Sequence, residues 1–176
     1  MEHILKDGMV VELSDAKVED AKDLIEFMNQ ALLESKNLMR EPHEWTMTIK
    51  DEEKFIKRLE GSIHNCMLVV KYNGVIIGDA GFSSKNLDRV KHRVSFGISV
   101  LEEFYSLGIG TLLTNAIIER AMKLGKTKID LEVRKDNINA IKLYTKFGFM
   151  IEGEIERGFY VDGKYVNLII MGKTLW

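Results

Sequence analysis

The stretch from Val94 to Gly125 changes its hydrophobic period once, from a strand period to a helical period, across a turn that contains two glycines. Val94 to Val100 alternates as a strand does, and Gly108 to Leu124 repeats its apolar residues as an amphipathic helix does. Gly125 then supplies a residue suited to the left-handed end of a helix. The junction predicts a fold in which strands and helices alternate. The helical apolar positions are Ile109, Leu112, Leu113, Ala116, Ile117, Ala121 and Leu124.

Two turn dipeptides predict hairpins on either side of this junction. Asn73-Gly74 suits a type I′ turn and joins the β-rich runs Cys66 to Tyr72 and Val75 to Phe82. Asp162-Gly163 joins the β pattern from Phe149 to Val161 to the apolar run Tyr165 to Met171. The sequence is therefore expected to end in a hairpin.

The other elements complete an alternating order. A strand at Met9 to Leu13 precedes a helix capped by Ser14 or Asp15, and a second helix covers about Asp51 to Glu60. Alternation at Ile129, Leu131 and Val133 predicts a strand, and Asn137 to Phe147 a helix. This order predicts the α/β class in its mixed α+β form, with one mixed sheet covered by helices on both faces.

Composition narrows the class of protein. With 176 residues, 45% hydrophobic and 30% charged, and one proline, the chain is expected to form a single globular domain over 1–176. A net charge of -2 gives no bulk electrostatic reason to bind nucleic acid or an anionic membrane. Cys66 is the only cysteine, so multi-cysteine metal sites are excluded, and we expect a cytoplasmic protein with no metal.

The glycine turn is a candidate phosphate site. Glu102 to Thr111 follows a strand and opens a helix, and Gly108 and Gly110 lie at the helix start. Free backbone amides and the helix dipole favour an anion at such a junction. A Gly-x-Gly at a helix start serves packing or turning about as often, so both interpretations stand on the turn alone.

A second segment carries a stripe of chemically useful residues. On a helix, Asn137, Ala140, Ile141 and Tyr144 share one face. The amide and the alanine suit an extended ligand that approaches closely, and the phenol suits donation of a proton to a departing thiolate. Alternatively, Asn137 is an N-cap and Tyr144 a packed aromatic.

Together the two segments resemble the acetyl-CoA-binding motifs of the GNAT acetyltransferase superfamily. Gly108-Ile109-Gly110 is similar to the family's pyrophosphate loop, in which Tyr105 takes a position usually held by arginine or glutamine. The later match comprises Asn137, Ala140, Leu143-Tyr144 and Gly148-Phe149. The resemblance covers roughly Val75 to Trp176. It implies a mostly antiparallel sheet in which one pair of neighbouring strands splays apart.

The resemblance also implies the substrates and the residues that handle them. Acetyl-CoA would be the cosubstrate, and an amine would attack its thioester directly, with Tyr144 protonating the sulfur. A backbone amide near Ile98 to Val100 would polarise the carbonyl. The residues expected to bind acetyl-CoA are Ile98, Ser99, Val100, Tyr105, Ser106, Leu107, Gly108, Ile109, Gly110, Thr111, Asn137, Asn139, Ala140 and Tyr144.

The proton acceptor for the amine is open at this level. The family commonly has a glutamate on the central strand, but Ser95 stands at the aligned position. Glu132 on the following strand, Glu103 at the turn and His92 are candidates for a catalytic base, and a relay of water molecules to bulk solvent would need no dedicated residue. Asp79, in an apolar run, either faces the cleft or hydrogen-bonds at an irregularity of the sheet.

Three functions agree with these patterns. The first is acetylation of a small-molecule amine or amino acid, with an acceptor pocket framed by the first helix, the Asn37 to Thr48 loop and the C-terminal hairpin. The second is acetylation of protein N-termini or lysines, and the third is a non-catalytic acyl-CoA-binding regulatory module. Exposed strand edges would permit a homodimer.

Overall fold

The computed structural model describes residues 1–176 and contains eight strands and four α-helices. All the elements expected from the sequence are present, and their limits lie within a few residues of the expected ones except at the start of the first helix. The strands are β1 (Glu2–Ile4), β2 (Val10–Asp15), β3 (Asn65–Tyr72), β4 (Val75–Ser83), β5 (Arg93–Val100), β6 (Lys128–Arg134), β7 (Met150–Val161) and β8 (Lys164–Thr174). The helices are α1 (Ala21–Glu34), α2 (Ile49–Leu59), α3 (Ile109–Lys123) and α4 (Ile138–Lys146).

The strands form one sheet in the order β1-β2-β3-β4-β5-β6-β8-β7. Every neighbouring pair is antiparallel except β5 and β6, which are parallel. β5 and β6 pair only where Arg93, Val94 and Ser95 face Lys128, Ile129 and Asp130. Beyond that point the two strands separate, which confirms the mixed, mostly antiparallel sheet with a splayed strand pair.

Helices cover both faces of the sheet, as expected. Ile109, Leu113 and Ile117 of α3 and Tyr144 of α4 belong to the larger buried cluster, which lies on one face. Leu24 and Phe27 of α1 and Ile56 of α2 pack with Val69 and Ile76 in the smaller cluster on the opposite face. The gap between β5 and β6 therefore has a different helix pair on each side. None of the four helices is both long enough and apolar enough to span a membrane.

The start of the chain departs from the sequence-based expectation. β2 continues to Asp15, so neither Ser14 nor Asp15 caps α1, which begins at Ala21 after a 3₁₀ turn at Val18–Asp20. The short strand β1 was not expected, and it pairs with β2 at the edge of the sheet. Neither difference moves the junction between β5 and α3.

Candidate active site

The first turn of α3 is the candidate anion site. Gly108 precedes the helix in the left-handed conformation, with φ +103°, and no side chain caps the helix. No acidic residue lies in the first helical turn, so the unpaired amides of residues 109–111 have no internal competitor for an anion. Ser106 also has a left-handed backbone conformation, with φ 65°. Where left-handed and right-handed residues alternate, successive backbone amides point toward a common position. These features fit a pyrophosphate.

The loop that leads to this turn is held by the end of α1. The Glu102 amide donates a hydrogen bond of 2.7 Å to Glu34 Oε2. Burial raises the pKa of Tyr105, and hydrogen bonding with Ser35 opposes that shift. Tyr105, at the position where the family has arginine or glutamine, is therefore directed toward α1 while 47% of it remains exposed.

The two motif segments come together in space. A Cβ atom on Gly110 would lie 3.2 Å from Leu143 Cδ2 and 4.0 Å from Ile98 Cδ1. Gly110 thus gives α4 and β5 room to approach the start of α3. The glycine turn, the strand expected to bind pantetheine and the second motif helix meet at one place.

The structural alternative for α4 is confirmed, and the ligand-binding interpretation stays a prediction. Asn137 is its N-cap, with Oδ1 accepting a hydrogen bond of 3.2 Å from the Ala140 amide, while its amide nitrogen makes no hydrogen bond within the chain. Tyr144 is a packed aromatic, 6% exposed, with its ring centroid 5.9 Å from that of Phe96 and 5.8 Å from that of Phe149. Burial raises the pKa of Tyr144 well above its ordinary value. Since the phenol makes no hydrogen bond within the chain, it is a protonated donor without an internal partner.

The two acidic residues expected to act as bases are exposed. Glu132 lies on β6 and pairs across the ladder with Ile170, and Glu103 lies in a 3₁₀ turn before α3. Neither makes an ion pair or a side-chain hydrogen bond, so both carboxylates are free.

Asp79 on β4 is the acidic group with an unusual environment. It is 8% exposed, and its Oδ1 is fully buried without a hydrogen-bond partner. Burial raises the pKa of Asp79 to about 7, hydrogen bonding with Ser99 moderates the rise, and the nearby Glu52 adds to it. The sequence drew attention to this residue without deciding its environment.

A polar cavity lies where the segment after α1 meets the end of β6. Its volume is about 350 Å³, and its walls are Lys36, Asn37, Arg134, Asp136, Asn137, Ile138 and Asn139. The Arg134 Nη1 atom donates to the Lys36 carbonyl at 2.7 Å, and Lys36 forms an ion pair with Asp162 in the C-terminal hairpin turn. These contacts link the segment after α1, the end of β6 and the C-terminal hairpin turn beside this cavity.

Sequence reasoning did not single out Lys36, Arg134 or Asp136. Arg134 and Asp136 form an ion pair of 2.7 Å at the end of β6. Their only sequence signal is the position of Arg134-Lys135-Asp136 between a strand and the cap of α4. The contact to Lys36 joins residues 98 positions apart, and no local pattern encodes it.

The sequence of residues 29–149 matches the acetyltransferase (GNAT) family. The L-amino acid N-acetyltransferase AaaT of Escherichia coli (strain K12) is 32% identical over 108 residues, which are 61% of this chain and 67% of that protein. The chain spans about half the length of other curated relatives that it matches, 46% in two cases.

Solved structures share the fold over nearly the whole chain. An acetyltransferase of the GNAT family from Streptococcus pneumoniae superposes with a TM-score of 0.91 at 30% identity, covering 94% of this chain and 99% of that one. A GNAT superfamily phosphinothricin acetyltransferase from Sinorhizobium meliloti, in complex with AcCoA, gives a TM-score of 0.81 at 20% identity, with 94% and 88% covered. The second likeness concerns the fold alone.

Proposed function

Since the chain belongs to the acetyltransferase (GNAT) family, we propose that it moves the acetyl group of acetyl-CoA to a primary amine of a small molecule or an amino acid. The observation that carries this proposal is the convergence of three parts: the uncapped start of α3, the separated half of β5, and Tyr144. Each part serves a different portion of one extended thioester.

The donor occupies the gap beside β5 in this proposal. After Ser95, β5 has no ladder partner on its β6 side, so residues 96–100 have backbone groups free for the pantetheine amides. The backbone amides of Gly108, Ile109, Gly110 and Thr111 bind the pyrophosphate. Tyr105, Ser106 and Leu107 form the loop that leads to these amides. The free amide nitrogen of Asn137, with Asn139 and Ala140, borders the ligand on the α4 side.

The chemistry is a direct transfer. A neutral amine attacks the thioester carbonyl carbon, the C–N bond forms, and the C–S bond breaks. A backbone N–H in residues 98–100 stabilises the negative charge that develops on the carbonyl oxygen. Tyr144, which keeps its proton because burial raises its pKa, gives that proton to the departing sulfur. Glu132 and Glu103 are candidate acceptors of the amine proton from the solvent side.

The cavity beside Lys36 favours a small polar acceptor. Its volume of about 350 Å³ is near the lower end of the range for small-molecule sites. Lys36 and Arg134 in its wall are cations, each paired with a carboxylate of the chain, Asp162 and Asp136, so the carboxylate of an amino acid would bind here by exchanging with one of these pairs. This agrees with the likeness to a relative named for L-amino acids.

The test combines binding and turnover on one preparation. Calorimetric titration with acetyl-CoA and desulfo-CoA measures the donor site, and thiol release against amino acids, polyamines and peptides with free N-termini measures transfer. We expect binding of both nucleotides and faster turnover with a small amine than with any peptide. Preference for peptides by orders of magnitude would identify a protein acetyltransferase, binding without turnover a regulatory module, and absence of binding would remove the donor site.

A further inference from the structure

Asp79 faces α1 and α2, the side of the sheet opposite Tyr144. Its partner on β3 is Val69, which packs with Leu24, Phe27 and Ile56 of these two helices. Residues directly opposite on neighbouring strands point to the same face. The buried carboxyl therefore lies between the sheet and these two helices.

Ser99 stands between Asp79 and the gap in the sheet. It is the direct partner of Asp79 on β5, and β5 borders the gap because its pairing with β6 ends at Ser95. Ser99 is half-buried and belongs to the separated portion of the strand. Across the sheet, Asp79 on β4 comes first, Ser99 on β5 comes next, and the gap follows. The serine therefore lies between the carboxyl and the expected position of the thioester.

No cation neutralises Asp79. α2 presents Glu52, another buried carboxyl, which raises the pKa of Asp79 further, while α1 presents the apolar residues Leu24 and Phe27. β3 contributes Val69 and β5 contributes Ser99, and α3 packs on the other face. A lone carboxyl in such surroundings binds a proton readily near neutral pH, which a salt-bridged carboxylate does not.

On the basis of the proposed acetyl transfer, we infer that Asp79 is the final acceptor of the amine proton and that the Ser99 hydroxyl carries the proton to it. As the neutral amine attacks, one N–H proton passes to Ser99 Oγ, and the Ser99 proton passes to the Asp79 carboxylate. The C–N bond forms, the C–S bond breaks, and the sulfur takes the Tyr144 proton. Product release then lets solvent return a proton to Tyr144 and remove one from Asp79.

The two proton movements occur on opposite faces of β5. Phe96, which packs against Tyr144, and Ser99 are three residues apart on one strand, so their side chains point to opposite sides. The sulfur can leave toward the α4 side while the amine enters from the α1 side. This separation keeps the acid from protonating the incoming amine.

The test is the pH dependence of kcat/KM, expressed on the neutral amine so that titration of the substrate drops out. We expect the wild-type rate to fall as pH is lowered through about 7, at the same pH for two amines of different basicity. Asp79→Asn should abolish this decrease at low pH, the acid limb of the profile. It should also lower kcat/KM at pH 8 by about 10²-fold, the usual size of a general-base contribution. Acetyl-CoA affinity by calorimetry should stay unchanged.

Two neighbouring substitutions give opposite shifts that a purely structural role does not produce. Glu52→Gln removes the like charge and should move the acid limb to lower pH with most of the rate retained. Ser99→Ala removes a hydrogen bond that lowers the Asp79 pKa, so it should move the limb to higher pH and reduce kcat. The matched control is Asp20→Asn: Asp20 is also a buried carboxyl, but it pairs with Lys71, and its loss should leave the limb in place.

The outcomes separate this inference from the proposed function. Wild-type turnover with an unchanged limb in Asp79→Asn, or loss of the limb in Glu132→Gln instead, overturns the role of Asp79 and leaves the acetyltransferase intact. Failure of the wild-type protein to acetylate any amine overturns both. If Asp79→Asn does not fold, the opposite shifts in the Glu52 and Ser99 variants still decide the question.

Discussion

At the scale of single residues, Tyr144 is the side chain on which the proposed acid step depends. Its phenol is buried against Phe96 and Phe149 and has no hydrogen-bond partner in the chain. Tyr144→Phe keeps the ring packing and removes only the proton. We expect kcat to fall by about 10²-fold with acetyl-CoA affinity nearly unchanged, as measured by thiol release and calorimetry.

The matched control is Tyr165→Phe, an equal chemical change on an exposed β8 residue. It should leave both kcat and acetyl-CoA affinity at wild-type values. Equal activity of the two variants would show that Tyr144 has only a packing role.

Asp79 shows why the sequence could not settle the proton acceptor. Strict alternation along β4 places Asp79 on the same face as Ile77. In the structure, Val70 pairs with Gly78 and Lys71 pairs with Ile76, so Ile77 is an extra residue and the faces change there. Asp79 therefore shares a face with Ile76, beneath α1 and α2. A bulge is set by pairing with another strand, and no signal for it exists in the local pattern.

At the scale of elements, the glycine turn before α3 permits a prediction about ligand binding. Gly108 has φ +103°, and an added Cβ would meet nothing within 4 Å, so the cost of Gly108→Ala is backbone strain and not a clash. Such strain is about 1–2 kcal/mol for a residue with a side chain. Relaxation of the turn would redirect the amides, and we expect acetyl-CoA affinity to fall at least about tenfold by calorimetry.

Gly74→Ala is the matched control for this turn. Gly74 also has positive φ, +83°, and open space around its Cβ position, but it lies in the β3–β4 hairpin turn. It should lower the free energy of unfolding by a similar amount and leave acetyl-CoA affinity intact. If both variants bind acetyl-CoA equally, the turn does not hold the pyrophosphate.

Local periodicity predicted the elements well because most of them have one buried face. The α3 and α4 motifs, both hairpin turns and the splayed pair all lie where the pattern and the family resemblance placed them. The predicted start of α1 was wrong because Ser14 and Asp15 pair with β3 and so extend β2. The link from Arg134 to Lys36 escaped prediction for the same reason, since it depends on tertiary contact alone.

At the scale of the whole molecule, Asp79 imposes a pH-dependent loss of stability. Its pKa is about 7 in the fold against an ordinary value of 3.8, so the folded state binds a proton that the unfolded chain releases. Stability from this group is complete below the ordinary value and declines as pH rises through 7. The total loss is about 4 kcal/mol by linkage. Asp79 lowers the free energy of unfolding at neutral pH and has no cation beside it. A buried carboxyl with this effect is expected where the carboxyl has a function.

Asp79→Asn should remove this pH dependence while keeping the shape of the side chain. The buried amide lowers stability by the same amount at every pH, so only the difference between pH values isolates the carboxyl. Between pH 5 and pH 8 we expect the wild type to lose roughly 3 kcal/mol more unfolding free energy than the variant, as measured by urea unfolding at both pH values. Titrating groups that do not interact with Asp79 cancel because both proteins contain them. An equal pH dependence in the two proteins would mean that Asp79 titrates near its ordinary value, and the proton relay would then lack its acceptor at neutral pH.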